Sequence, residues 1–122
     1  MVKKPIKVRE EANLLDAMGL IIDNKISGVC VVDADDKLVG VLSELDCLRA
    51  ILGATYNETG IGQAKDYMTK EVISAHPNDD IVAVAQDMLQ RGQRRRPVVE
   101  DGKLVGQITC RQLLSAVKQF KR

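Results

Sequence analysis

At 122 residues the chain is long enough for one compact body, and a formal net charge of +1 gives it no global field to attract nucleic acid or a membrane surface. Aromatic residues make up 2% and tryptophan is absent, a poor supply of stacking platforms for single-stranded nucleic acid. No apolar run could span a membrane, the charged stretch from Met1 to Glu11 is not a signal peptide, and Cys30, Cys47 and Cys110 have neither zinc nor redox spacing, so a cytoplasmic protein with reduced, buried thiols is expected.

Ile6 to Val8 reads as a short strand. Asn13 is a good N-cap, and Leu14, Met18, Ile21 and Ile22 then recur at helical spacing, which predicts that they are buried together. Gly28 to Asp33 holds the continuous apolar run of a buried strand. Asp33 to Lys37 is an Asp-rich turn, too short for a calcium loop and without its closing glutamate. Leu38 to Leu42 supplies the return strand, and Glu44 to Leu52 a helix. Gly53 to Gln63 is polar and reads as a linker; its Gly60-x-Gly62 follows no strand and lacks the third glycine of a phosphate loop. Ala64 to Met68 then reads as a lead-in helix to the second half.

In that half Asp80 caps a helix with the apolar face Ile81, Val84, Ala85, Met88 and Leu89, ended by Gly92. Arg96 to Glu100 and Leu104 to Thr109 pair across Asp101-Gly102, a strong hairpin signal. Cys110 to Phe120 is the last helix. The halves are one unit written twice. Met1 aligns with Met68, Ile6 with Ile73, Leu14 with Ile81 and Val32 with Val99, always 67 positions apart. After a one-residue deletion, Lys37-Leu38-Val39-Gly40 meets Lys103-Leu104-Val105-Gly106 at an offset of 66. The fold class is therefore α/β (α+β): two β-α-β-β-α repeats, residues 1–60 and 61–122, packed with pseudo-two-fold symmetry and with clefts between them.

Val31-Val32-Asp33 through Gly40, Arg96-Pro97-Val98-Val99-Glu100 through Gly106, and Asp66-Tyr67-Met68-Thr69 carry a resemblance to the cystathionine-β-synthase (CBS) domain. Two in tandem resemble a Bateman module, here of the stand-alone bacterial or archaeal type. The first copy lacks the lead-in helix. The resemblance implies a regulatory module rather than an enzyme. Such pairs bind adenine nucleotides or related adenosyl ligands in their clefts and signal occupancy to a partner domain or protein. AMP, ADP or ATP are the candidate ligands, ranked ahead of S-adenosylmethionine and NAD, and no cofactor is required. The resemblance also implies a homodimer, a flat four-repeat disc joined through the helices ending in Leu52 and Val117.

Gly40, Ser43 and Asp46 match the family's ribose-binding pattern. Asp46 lies in the first turn of a helix, where the dipole stabilises a carboxylate whose two oxygens can accept from a ribose diol. Ser43 and Asp46 could equally cap that helix, and by themselves the residues leave both readings open. In the second copy Thr109 matches Ser43 but Gln112 replaces the carboxylate, so one competent site and one weak or empty site are expected. By resemblance, Val72 and Ile73 on the second copy's first strand line the adenine slot, and Arg94, Arg95 and Arg111 contact phosphate. The alternative for the run Arg91 to Arg96 is a solvated strand end. His76 reads as a surface loop residue, and one histidine builds no metal site. Against the ligand sensor stands a ligand-free interaction module with an unknown protein partner. An enzyme lacks any oriented nucleophile, metal cluster or Walker loop, and low charge with few aromatics counts against nucleic acid.

Overall fold

The structure is a computed structural model describing residues 5–57 and 61–120. It divides into two units, Ile6–Val72 and the residues from Ile73 onward. In the first, β1 (Lys7–Arg9) pairs in parallel with β2 (Gly28–Val32), which pairs antiparallel with β3 (Leu38–Ser43). Between β1 and β2 runs α1 (Leu14–Asp23), whose N-cap Asn13 accepts the Leu15 N–H at 2.8 Å. After β3 comes α2 (Glu44–Asn57). It runs past Leu52, so the first part of the expected linker is helical: Gly53 is tolerated inside a helix, and no proline stops it. Gly60 of that linker lies outside the described residues.

The short α3 (Ala64–Tyr67) packs within this first unit. The Leu14 N–H donates to the Gly62 carbonyl at 3.0 Å, Ala64 N–H to that of Ala12 at 2.9 Å and Lys65 N–H to that of Glu10 at 2.9 Å. Thr69 and Val41 then exchange two backbone hydrogen bonds, of 2.8 and 3.0 Å, on the free edge of β3. Gly40 makes this approach possible, because a Cβ there would stand 2.6 Å from the Met68 sulfur and 3.0 Å from the Thr69 carbonyl.

The second unit contains α4 (Ile81–Arg91), β4 (Arg95–Glu100), β5 (Lys103–Thr109) and α5 (Cys110–Phe120). The register repeats that of the first. Val31 faces Gly40 and Val98 faces Gly106; Val32 faces Leu38 and Val99 faces Leu104; both ladders shift at the same step. The deletion falls in the hairpin turn, where Asp101 and Gly102 both take positive φ, 54° and 80°, as a two-residue turn requires.

The expected first strand at Val72 and Ile73 is absent. Among the described residues outside β5, only Ala75 bridges β4, donating to the Pro97 carbonyl and accepting the Val99 N–H, both at 2.8 Å. Two prolines account for this. Pro97 stands where β2 has Cys30, and has no N–H to carry the ladder toward Ile73. Pro77 stands where the first copy has Glu10, whose N–H donates to Val32 at 2.9 Å. Both outward hydrogen bonds are lost.

Each unit has its own apolar cluster: Val8, Leu14, Ala17, Ile21, Val31 and Leu42 lie in the first, and Ala75, Val84, Met88, Val98 and Ile108 in the second. The expected helix faces need correction. Ile22 is 68% exposed, Leu89 84% and Ile81 47%. Ala17 and Val84 are the buried residues one turn in, and Ala17, being small, lets α1 lie close to the sheet. The apolar stripe on each helix is wider than the face its own unit covers.

Candidate functional site

Ser43, the last residue of β3, begins α2, and the Ser43 and Asp46 side chains cap that helix reciprocally. The Asp46 N–H donates to Ser43 Oγ at 3.1 Å, and the Ser43 N–H donates to Asp46 Oδ2 at 3.0 Å. Asp46 is 5% exposed. Its Oδ2 also faces the Thr69 hydroxyl at 3.4 Å, and its Oδ1 accepts from Arg49 Nη1 at 3.0 Å. The second copy builds the same box from neutral groups: Gln112 N–H to Thr109 Oγ1 and Thr109 N–H to Gln112 Oε1, each 3.2 Å. Capping therefore operates at both positions, and it needs one acceptor oxygen. Gln112 supplies only that. Asp46 adds a negative charge and a second oxygen.

The arginine run separates by burial. Arg96 is 4% exposed, and its Nη2 donates to Asp87 Oδ2 and Gln93 Oε1, both at 2.7 Å. Arg91 Nε donates to the same Asp87 oxygen at 2.9 Å. The Arg96 and Arg91 hydrogen bonds hold the Asp87 carboxyl below its ordinary pKa. Arg94 and Arg111 are exposed and Arg95 is half-buried. Ile73 is 36% exposed and Val72 half-buried, in a segment without regular structure.

The remaining candidates behave as structural parts. Asp33 Oδ1 accepts the N–H groups of Lys37 and Asp35, at 3.0 and 2.8 Å, and the Lys37 bond above all lowers its pKa. His76 Nδ1 accepts the Asn78 N–H at 3.0 Å in an exposed turn. Burial, with Asp46 and Glu44 nearby, pushes the Cys47 thiol up. Among the described residues no group of three or more His, Cys, Asp or Glu could hold a metal, and no helix is long and apolar enough to cross a membrane.

Two neighbours of Asp46 were not singled out from sequence. Arg49 had a signal, an acid and an arginine three apart on a helix. Thr69 had none, since it reaches Asp46 only because its backbone pairs with Val41.

The chain matches the CBS domain family over residues 1–53 and 64–119, and it belongs to that family. It is 33% identical to the uncharacterized protein MJ1426 of Methanocaldococcus jannaschii, over 96% of this chain and 88% of that protein. The structure of CBSX2 in complex with AMP aligns with a TM-score of 0.88 at 30% identity, covering 100% of this chain and 95% of that one. The CBS domain pair of MJ0100 in complex with 5′-methylthioadenosine and S-adenosyl-L-methionine aligns with a TM-score of 0.78 at 26% identity, covering 99% and 94%. Some relatives are much longer: the chain spans 38% of MJ1225 from M. jannaschii and 22% of the inosine-5′-monophosphate dehydrogenase of Nitrosopumilus maritimus.

Proposed function

We propose that this CBS pair is a cytoplasmic sensor, without chemistry of its own, that binds one adenosyl ligand per chain and signals its presence to a partner protein. AMP, ADP and ATP are the first candidates. The observation that carries the reading is the Asp46 carboxylate, which has more charge and more acceptor capacity than its cap needs. A ribose diol uses both. In this reading Ser43 and Asp46 hold the ribose, and Val72 and Ile73 flank the adenine. Arg94 and Arg95 meet the phosphate, with Arg111 as a further contact, while Thr109 and Gln112 form a weaker second site. The complexes of the similar CBSX2 with AMP and of MJ0100 with adenosyl compounds support the ligand class. Exposed Ile22 and Leu48 line an apolar groove between α1 and α2 and, with exposed Leu52 on α2 and Leu114 and Val117 on α5, support a homodimer.

Calorimetric titration with AMP and adenosine tests the reading. Asp46→Asn keeps an acceptor for the Ser43 N–H but removes the charge. It should weaken both ligands by about tenfold to a hundredfold, the loss of a charge-assisted hydrogen bond, while the melting temperature changes little. Arg94→Ala should weaken AMP far more than adenosine. The second reading, a ligand-free interaction module, is favoured by the matching caps in the two copies. It replaces the first if AMP and adenosine neither bind nor raise the melting temperature.

A further inference from the structure

We propose that Arg49 is an internal competitor for the ligand, a side chain that occupies the Asp46 oxygen a ribose would use and sets the affinity by having to leave. The inference rests on the ligand reading above and adds a residue to it. The Asp46 Oδ2 atom is committed, since it accepts the Ser43 N–H that starts α2 and faces the Thr69 hydroxyl. A diol that docked only there would have to break the helix cap. Oδ1 is the other acceptor, and it accepts from Arg49 Nη1 at 3.0 Å.

The two ends of this ion pair differ. The Asp46 side chain is 7% exposed and that of Arg49 is 71% exposed. The carboxylate is fixed by its cap, whereas the exposed guanidinium makes one hydrogen bond among the described residues and can swing into water with its hydration restored. Such a solvent-facing pair is weak, so its loss is a small toll rather than a block. The toll falls on any ligand that presents a ribose diol and spares one that does not. It also falls with ionic strength, because salt screens an exposed pair.

The test uses adenosine, whose neutrality removes any phosphate contact from the salt dependence, with 2′,3′-dideoxyadenosine as the ligand lacking the diol. Calorimetry on the full chain compares wild type with Arg49→Ala and Arg49→Lys, with melting curves to show that each is folded. Arg49→Ala should bind adenosine about two- to fivefold more tightly than wild type, the range of an exposed ion pair expressed as affinity, with Arg49→Lys between. Dideoxyadenosine should bind all three alike. Raising salt from about 0.05 M to about 0.5 M should tighten adenosine binding to wild type and leave Arg49→Ala unchanged. Adenosine binding that is equal or weaker in Arg49→Ala overturns the competitor role while leaving the ligand reading intact. If adenosine and AMP bind neither wild type nor Arg49→Ala, the ligand reading itself is wrong and the competitor role goes with it.

Discussion

Leu20, Ile26 and Val29 of the first copy occupy the positions that Asp87, Gln93 and Arg96 hold in the second, at the repeat offset of 67. In the first copy Val29 is 2% exposed and Ile26 packs on the apolar cluster. In the second, a 4% exposed guanidinium is held by an acid and an amide at 2.7 Å. The strand register is the same in both. A core corner can thus change from apolar to ionic without changing the fold, provided that all three positions change together, because a buried charge is tolerated only with its partners. The exchange is incomplete: Arg96 Nε is buried without a hydrogen-bond partner among the described residues.

The comparison can be broken most severely by moving one member alone. Val29→Arg would bury a charge with no acid or amide beside it and should cost about 3–5 kcal/mol, measured by urea unfolding. A nearly silent result would show that the partners are dispensable. Next in size, Met88→Ala removes a side chain only 1% exposed and should cost about 2–5 kcal/mol, whereas its neighbour Leu89→Ala should cost under about 0.5 kcal/mol. Equal losses would mean that the helix phase described for α4 is wrong.

The reverse exchange, Asp87→Leu with Gln93→Ile and Arg96→Val, should leave stability unchanged or raise it, read from the urea midpoint. It should also change the acid response. Asp87 is held below its ordinary value of 3.8 by Arg96 and Arg91, so the folded state takes up its proton less readily than the unfolded one. Its contribution is complete above the ordinary carboxylate range and is lost as pH falls through the lowered folded value. Wild type should lose stability on that acid limb faster than the triple variant, as read from melting temperature against pH. The smallest effect concerns the helix ends. Gly92 takes φ 66° after α4, and the aligned Lys25 takes φ 53° after α1. Lys25→Gly should stabilise by up to about 1 kcal/mol in thermal unfolding.

Much of this was legible in the sequence because the repeat reports each element twice. Asn13 and Asp80 cap as read, and Asp101-Gly102 turns as read. Sequence spacing misplaces the helix phases because it favours large apolar side chains over Ala17, and because Ile22 and Leu89 sit on a stripe wider than one unit buries. The missing strand at Ile73 was written in Pro77 and Pro97, but its effect depends on which N–H groups the ladder uses, and that follows only from register. At the candidate site, Ser43 and Asp46 stand out through their match to the family's ribose-binding pattern, while the residues by themselves leave cap and ligand contact both open. The structure shows the cap directly: Asp46 Oδ2 accepts the Ser43 N–H that starts the helix, and Oδ1 accepts from Arg49.

The same two prolines bear on how the second copy behaves when it opens. A strand whose outer edge is bare can recruit strands from neighbouring molecules and seed aggregates. On the stretch of that edge beside Ala75, Pro97 cannot donate and the Val99 N–H is taken by Ala75. A growing stack would find carbonyls without matching donors there and would stall. Pro97→Cys, which copies the first repeat, should restore the donor and hasten aggregation near the melting temperature, followed by light scattering, while an unchanged rate would place the protection elsewhere. Residues that shorten a strand in the native fold should thereby also slow polymerisation of the partly unfolded chain.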